Sequence, residues 1–301
     1  MKKRLKAVIR RMYELLILLK ICKSQIVIRV DGGICSQMRQ YLWGCIFKEK
    51  GYKVTFDLSW FDDFGMDMNN KDVRNFDLLK AFPQLDFEKV NGLVLKFYRH
   101  FYNYQGRYPY SNDLDWMNLT PPRLLSGYYA EPDYLYSALF QKTFKINLEI
   151  LYKEDRLLYQ GIQSAESAAI HVRRGDLAVE LSGYGIPATL DYFKKAIEYM
   201  KKEKGVKFFY LFSDDKEYLV KELIPYVKLE RNEYIIVQNG ADKGYVDMIL
   251  MSKCDYIITS KGSLGKTAAL LNKNIKKTVI LCKDDNQSFM MNVDGMEKIL
   301  I

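Results

Sequence analysis

Beyond residue 165 the chain alternates short apolar runs with amphipathic stretches of helical length, and this alternation restricts the fold more than any other feature. Ala168–Arg173 (AAIHVR), Lys207–Phe212 (KFFYLF), Glu233–Val237, Tyr256–Thr259 (YIIT) and Thr278–Leu281 read as strands. Leu190–Glu203, Lys216–Leu223, Tyr245–Lys253 and Leu264–Asn272 read as the helices between them. Strands joined by helical crossovers lie parallel and carry helices on both faces, which predicts an α/β, doubly wound sheet.

A shorter unit precedes it. Ser24–Val30 (SQIVIRV) predicts a strand, Asp31-Gly32-Gly33 breaks it, Gln37–Lys50 predicts a helix closed by Gly51, and Tyr52–Leu58 predicts a second strand parallel to the first. Residues 59–125 are irregular and rich in Trp, Tyr, Phe, Asn and Asp. A length of 301 residues suits two domains. The expectation is two Rossmann-like doubly wound domains facing a cleft. Residues 1–23 form a basic amphipathic segment, 24–150 the N-terminal domain and 151–301 the C-terminal domain.

Composition narrows the partners. With 49% hydrophobic and 28% charged residues the chain is a folded protein. Its net charge of +9 suits nucleic acid, an anionic membrane surface or a phosphorylated substrate. The basic residues are spread along the chain and no zinc-finger or RNP-like pattern accompanies them, so nucleic acid fits least. Five cysteines, an odd number without a C-x-x-C pair, suggest neither a disulfide framework nor a zinc site, and read as reduced thiols of a cytoplasmic protein. The 23 Tyr, 16 Phe and 3 Trp suit a core and also sugar-binding surfaces. Within Met1–Lys23, six basic residues (Lys2, Lys3, Arg4, Lys6, Arg10 and Arg11) precede the apolar run Leu15–Leu19, too short to span a hydrocarbon layer of about 30 Å. No small-residue cleavage site follows it. Two readings stay open: a basic helix on an anionic membrane, or one docked on its own domain.

Open α/β sheets bind ligands at the carboxyl ends of their strands, so the residues that follow each strand are the informative ones. His171-Val172-Arg173-Arg174-Gly175-Asp176 ends one strand with two guanidiniums, whose planar forks match phosphate oxygens; pairing with Asp176 is the structural alternative. Phe212-Ser213-Asp214-Asp215 ends another, and its carboxylates suit a metal, a guanine edge or a helix cap. Ser260-Lys261-Gly262-Ser263-Leu264-Gly265-Lys266-Thr267 opens a helix with hydroxyls, glycines and lysines, an anion cradle that lacks the first glycine of a P-loop. Asp31-Gly32-Gly33, followed by Gln37, allows close backbone approach but lacks the third glycine of a dinucleotide fingerprint.

Together these segments resemble the family 11 glycosyltransferases, bacterial α-1,2-fucosyltransferases. Gly32-Gly33-Ile34-Cys35-Ser36-Gln37-Met38 matches the family's early glycine segment, His171–Asp176 its H-[IV]-R-R-G-D, and Phe212–Asp215 its F-S-D-D. Gly127-Tyr128-Tyr129-Ala130-Glu131 is similar to a further segment. Where many members carry an aromatic pair, this chain has Ser260–Ala268 with lysines. The resemblance implies a two-domain fold of the GT-B type, no metal or other cofactor, and inverting transfer from GDP-β-L-fucose. The acceptor would be an oligosaccharide in O-antigen or capsule synthesis, typically lipid-linked, with a galactose 2-hydroxyl as the default target. By the same analogy the N-terminal domain takes the acceptor and the C-terminal sheet the donor. Arg173 would bind the β-phosphate, His171 and Asp214 or Asp215 would lie near guanine, Arg174 would belong to the donor site, and Ser263 and Lys266 would meet the remaining phosphate oxygens. Asp176, Glu131 and Asp31 are candidates for the general base. Two other readings are a metal-dependent transferase using Asp62-Asp63 or Asp113-Leu114-Asp115, and a non-catalytic nucleotide- or glycan-binding protein.

Overall fold

The computed structural model describes residues 2–67, 70, 72–106, 115–129, 133–178, 186–274, 277–283 and 297–301. In chain order the helices and strands are α1 (Lys2–Leu18), β1 (Ile26–Arg29), α2 (Ile34–Glu49), β2 (Val54–Asp57), α3 (Ser59–Asp63), α4 (Leu78–Ala81), α5 (Gly92–Phe101), β3 (Asn103–Gln105) and β4 (Arg123–Ser126). There follow α6 (Asp133–Thr143), α7 (Lys153–Ser164), β5 (Ser167–Val172), α8 (Leu190–Lys204), β6 (Phe208–Ser213), α9 (Lys216–Tyr218), α10 (Ile224–Val227) and β7 (Tyr234–Ile236). The last are α11 (Gly244–Met251), β8 (Tyr256–Ile258), α12 (Leu264–Leu271), β9 (Thr278–Leu281) and β10 (Glu297–Leu300).

The chain forms two compact α/β units, one of Met1–Gly65 with Gln84–Leu139, the other of Met66–Pro83 with Phe140–Ile301. The sequence-expected division at 150 is therefore not the division by contact. Leu78, Ala81 and Phe82 are fully buried, and Phe82 lies 4.9 Å from Phe144, so apolar burial draws Met66–Pro83 out of chain order into the second unit. Residues 1–23 are not separate either, because Tyr13 packs on Phe97 and Tyr102 of the first unit.

The second unit holds a six-stranded parallel sheet in the order β10-β9-β8-β5-β6-β7. From β5 the chain steps to β6 and β7, then returns to β8 on the other side of β5. Strand order thus reverses between β5 and β8, as in a doubly wound sheet. The core is built from Ile170, Val172, Phe209, Leu211, Ile258 and Ile280, covered on one side by Phe193, Ala196, Ile197 and Met200 of α8. Thr189 caps α8 by accepting the Tyr192 N–H at 3.2 Å. The predicted helix after β6 is interrupted. Pro225 has no N–H to donate, and the backbone widens into a π turn over Leu219–Leu223 just before it.

The first unit holds four parallel strands in the order β2-β1-β4-β3, with its reversal between β1 and β4. Val27 and Leu124 pack under Tyr98 and Tyr102. Trp43, Phe47, Phe56 and Trp116 are also fully buried, so two of the three tryptophans serve the core. All five cysteines are free, three of them buried. No described helix is long and apolar enough to cross a membrane.

Candidate active site

At the reversal between β5 and β8, the carboxyl ends of two buried strands open side by side. β5 delivers Arg173, and β8 delivers Ser260, Lys261, Gly262 and then α12. The two segments are stitched together. The Arg173 N–H donates to Ser260 Oγ at 2.9 Å, and the same Oγ lies 3.3 Å from His171 Nδ1. Gly262 has φ +103°, a backbone conformation that favours glycine. A Cβ there would lie 2.8 Å from Arg173 Nη1, so the guanidinium runs directly over the Gly262 backbone. A Cβ at Gly265 would meet His171 Nδ1 at 3.1 Å.

The electrostatics favour an anion. Arg173 is partly exposed, while Lys261 and Lys266 are buried, Lys266 to 2% exposure. Ser263 occupies the N-cap of α12 without a side-chain cap, and the first-turn N–H groups of a helix have no intrahelical acceptors. Among the described residues, the buried Thr267 Oγ1 in that turn has no hydrogen-bond partner. His171 is buried, and desolvation, then the charges of Arg173 and Lys266, push its pKa down to about 3. It is a neutral imidazole at physiological pH. A helix N-terminus, a guanidinium and two ammonium groups on one sheet edge form an arrangement suited to a diphosphate.

Arg174 turns the other way. Its Nε lies 3.3 Å from Asp215 Oδ2, and its guanidinium stacks 3.8 Å above the Tyr218 ring. Asp215 also caps α9, accepting the Tyr218 N–H at 2.9 Å. Asp214 Oδ1 accepts the Arg174 N–H at 2.9 Å, and its Oδ2 lies 2.6 Å from where a Gly175 Cβ would stand. Ser213 Oγ donates to the Val172 carbonyl at 2.8 Å, tying β6 to β5. These carboxylates therefore brace the Arg173-Arg174 turn. The Asp176 backbone lies in a short 3-10 turn, Gly175–Ala178.

A second set of predicted residues meets at the reversal in the first unit. Gly32 has φ +70°, and Gln37 Nε2 donates to its carbonyl at 2.9 Å; Gly33 is the N-cap of α2. Asp31 is buried, exchanging two hydrogen bonds with Gln40 and accepting one from Tyr128 Oη at 3.2 Å. Burial raises its pKa, against these hydrogen bonds and the charge of Arg29. The glycine segment and Gly127-Tyr128-Tyr129, about ninety residues apart in sequence, are thus adjacent. Asp62 and Asp63 are exposed on α3. Glu131, Asp113 and Leu114 lie outside the described residues. Among the described residues no group of three acidic, His or Cys side chains could hold a metal. Sequence reasoning missed the roles of Tyr218 and Ser260 as partners of the two arginines; an aromatic residue three positions after an N-cap Asp was the available signal.

The model of glycosyl transferase family 11 matches residues 97–299. The O-antigen biosynthesis glycosyltransferase WbnK of Escherichia coli is 23% identical over 283 residues, covering 83% of this chain and 91% of the relative. The structure of a family 9 glycosyl transferase from Veillonella parvula DSM 2008 aligns at a TM-score of 0.50 and 12% identity, over 92% of this chain and 86% of that one. A looser match, at TM-score 0.48 and 11% identity, is POFUT1 in complex with GDP-fucose, over 93% and 98% of the two chains. The two parallel sheets and the family 9 structure agree on a GT-B type fold.

Proposed function

The chain belongs to glycosyl transferase family 11, and on that premise we propose that it moves L-fucose from GDP-β-L-fucose to a hydroxyl of an oligosaccharide acceptor, with inversion and without a metal ion. The observation that carries the reading is Arg173, seated over Gly262 at the β5–β8 reversal beside Lys261, Lys266 and the α12 N-terminus. As the acceptor hydroxyl attacks the anomeric carbon, the glycosidic bond to GDP lengthens and negative charge grows on the β-phosphate. A guanidinium already held in place stabilises that charge more in the transition state than in the ground state. Lys266 and Ser263 supply further contacts to phosphate oxygens. His171, kept neutral, holds Ser260 and through it the Arg173 turn.

Asp31 is the described carboxylate best suited to receive the acceptor's proton. It lies two residues beyond β1, its pKa is raised by burial, and Tyr128 and Gln40 fix its orientation. A galactose 2-hydroxyl is the acceptor we favour on the motif resemblance alone, and the name of the Escherichia coli relative supports a place in O-antigen synthesis. A lipid-linked acceptor would bring the enzyme to the inner face of the cytoplasmic membrane, which suits the basic α1.

The test is transfer from GDP-fucose by Arg173→Ala and Arg173→Lys, with and without EDTA. Loss of one such donor costs on the order of 10²–10³ in turnover. Near-wild-type turnover in both variants removes the role of Arg173, and loss of activity in EDTA removes the metal-free mechanism.

A further inference from the structure

The first unit contains a cavity of about 280 Å³ on one face of its sheet, lined by Arg29, Asp57, Asp63, Phe64, Arg99, Asn103, Leu124 and Ser126. Register explains the lining. Arg29 pairs with Asp57, and Val27 pairs with Leu124, two residues before Ser126, so strand alternation sends the side chains of Arg29, Asp57 and Ser126 to the same face as Val27 and Leu124. Lower on this face the sheet is apolar and covered by Tyr98 and Tyr102. Towards the carboxyl ends of the strands the same face becomes polar.

The two guanidiniums and two carboxylates of the cavity are equal in number but not all paired. Asp57 is fully buried and engaged, with Arg99 Nη2 at 3.1 Å from Oδ2 and the Ser59 N–H at 2.9 Å from Oδ1. Asp31, whose carboxyl feels the charge of Arg29, is held by Gln40 and Tyr128. Arg29 itself forms no ion pair and no side-chain hydrogen bond among the described residues, and its buried Nε has no partner. Asp63 is exposed at the rim. An unpaired guanidinium in a partly enclosed site favours a planar, bidentate acceptor. Around it are an amide and a hydroxyl, with Ser126 Oγ donating to Asn103 Oδ1 at 2.9 Å. Phe64, 66% exposed, offers an apolar face at the mouth. Aromatic surface, hydroxyl and amide groups and one free guanidinium suit a sugar ring that carries a carboxylate.

We propose that this cavity is a subsite for an acidic, uronic-acid-type sugar of the acceptor glycan, with Arg29 as the residue that selects the carboxylate. The assignment rests on the transferase reading, which places the acceptor in this unit, yet it is tested separately from donor binding. Calorimetric titration of the full chain with methyl glucuronide, methyl glucoside and inorganic phosphate at millimolar concentration compares carboxylate, neutral ring and bare anion. A GDP titration of each protein reports the donor site independently. The glucuronide should bind roughly tenfold or more tightly than either comparator, as expected of a charge-assisted bidentate contact. Arg29→Gln should erase that preference and Arg29→Lys should keep part of it, both with unchanged GDP affinity. The proposal is overturned by equal binding of glucoside and glucuronide, by phosphate binding as tight as the glucuronide, by no glucuronide binding, or by a preference that survives Arg29→Gln. The wild-type comparison alone decides the matter if a variant fails to fold. Loss of GDP binding in the wild type would instead remove the donor assignment.

Discussion

Gly262 shows how much of the site depends on a missing side chain. Its φ of +103° strains any other residue, and Arg173 Nη1 and Cδ occupy the space where a Cβ would go, at 2.8 and 3.0 Å. A non-glycine residue in such a conformation costs of order 1–3 kcal/mol, and here the guanidinium must also move. Gly262→Ala should therefore lower turnover by about tenfold or more, approaching the loss in Arg173→Ala, while leaving folding intact by circular dichroism. Unchanged turnover would mean that the position of Arg173 over this glycine does not matter. Arg174 is different in kind. Its neighbours Asp215 and Tyr218 satisfy it within the protein, so its contribution runs through the shape of the turn.

Helix α1 carries two different faces. One docks on its own unit: Tyr13 packs on Phe97, Lys6 lies over Phe101 and Arg10 over Tyr102. The other exposes Leu5, Val8, Met12 and Leu15, at alternating spacings of three and four, with Leu19 exposed just past the helix end and Arg4 and Arg11 exposed beside them. The two readings left open by the sequence thus belong to opposite sides of one helix. An apolar stripe edged by guanidiniums suits the interface of an anionic bilayer. The protein should co-sediment with phosphatidylglycerol vesicles and not with phosphatidylcholine vesicles, and added salt should weaken binding. Replacing Leu5, Val8, Met12 and Leu15 together by Ser should weaken it by two orders of magnitude or more. Transfer to a soluble acceptor should be unaffected. Equal binding to both vesicle types would refute an electrostatic contribution.

Across the whole molecule, buried His171 and half-buried Asp247 make opposite demands on stability at acid pH. His171 has a folded pKa of about 3, below its unfolded value, so stability falls as pH drops from 6.5 towards 3. Asp247, held by Asn239 at 2.7 Å, is raised by burial to about 7, so stability grows as pH drops from 7 towards 3.8. Each slope is limited to about 1.4 kcal/mol per pH unit, and the two offset each other between about pH 4 and 6.5. Urea unfolding in that window, compared between the wild type and single variants, separates the two contributions. His171→Gln should gain stability on acidification and Asp247→Asn should lose it; parallel curves for all three proteins would contradict both assignments.

The sequence by itself determined the parallel sheet of the second unit, because period, β-branching and crossover length leave few alternatives: all five predicted strands are present, Thr278–Leu281 to the residue. It also located the motif that ends in Arg173, since a pair of guanidiniums after a buried strand is a local pattern. It did not reveal β3 and β4, three and four residues long, or β10, because β3 (NYQ) and β10 (EKIL) are largely exposed edge strands without an apolar run and β4 is too short to show a period. Only tertiary structure decided that Met66–Pro83 joins the second unit, that Tyr128 reaches Asp31, and that Arg173 and Arg174 part company. The physical reason is the same in each case. Local pattern encodes which face a side chain takes, whereas partnership depends on burial and charge contributed by residues tens of positions away.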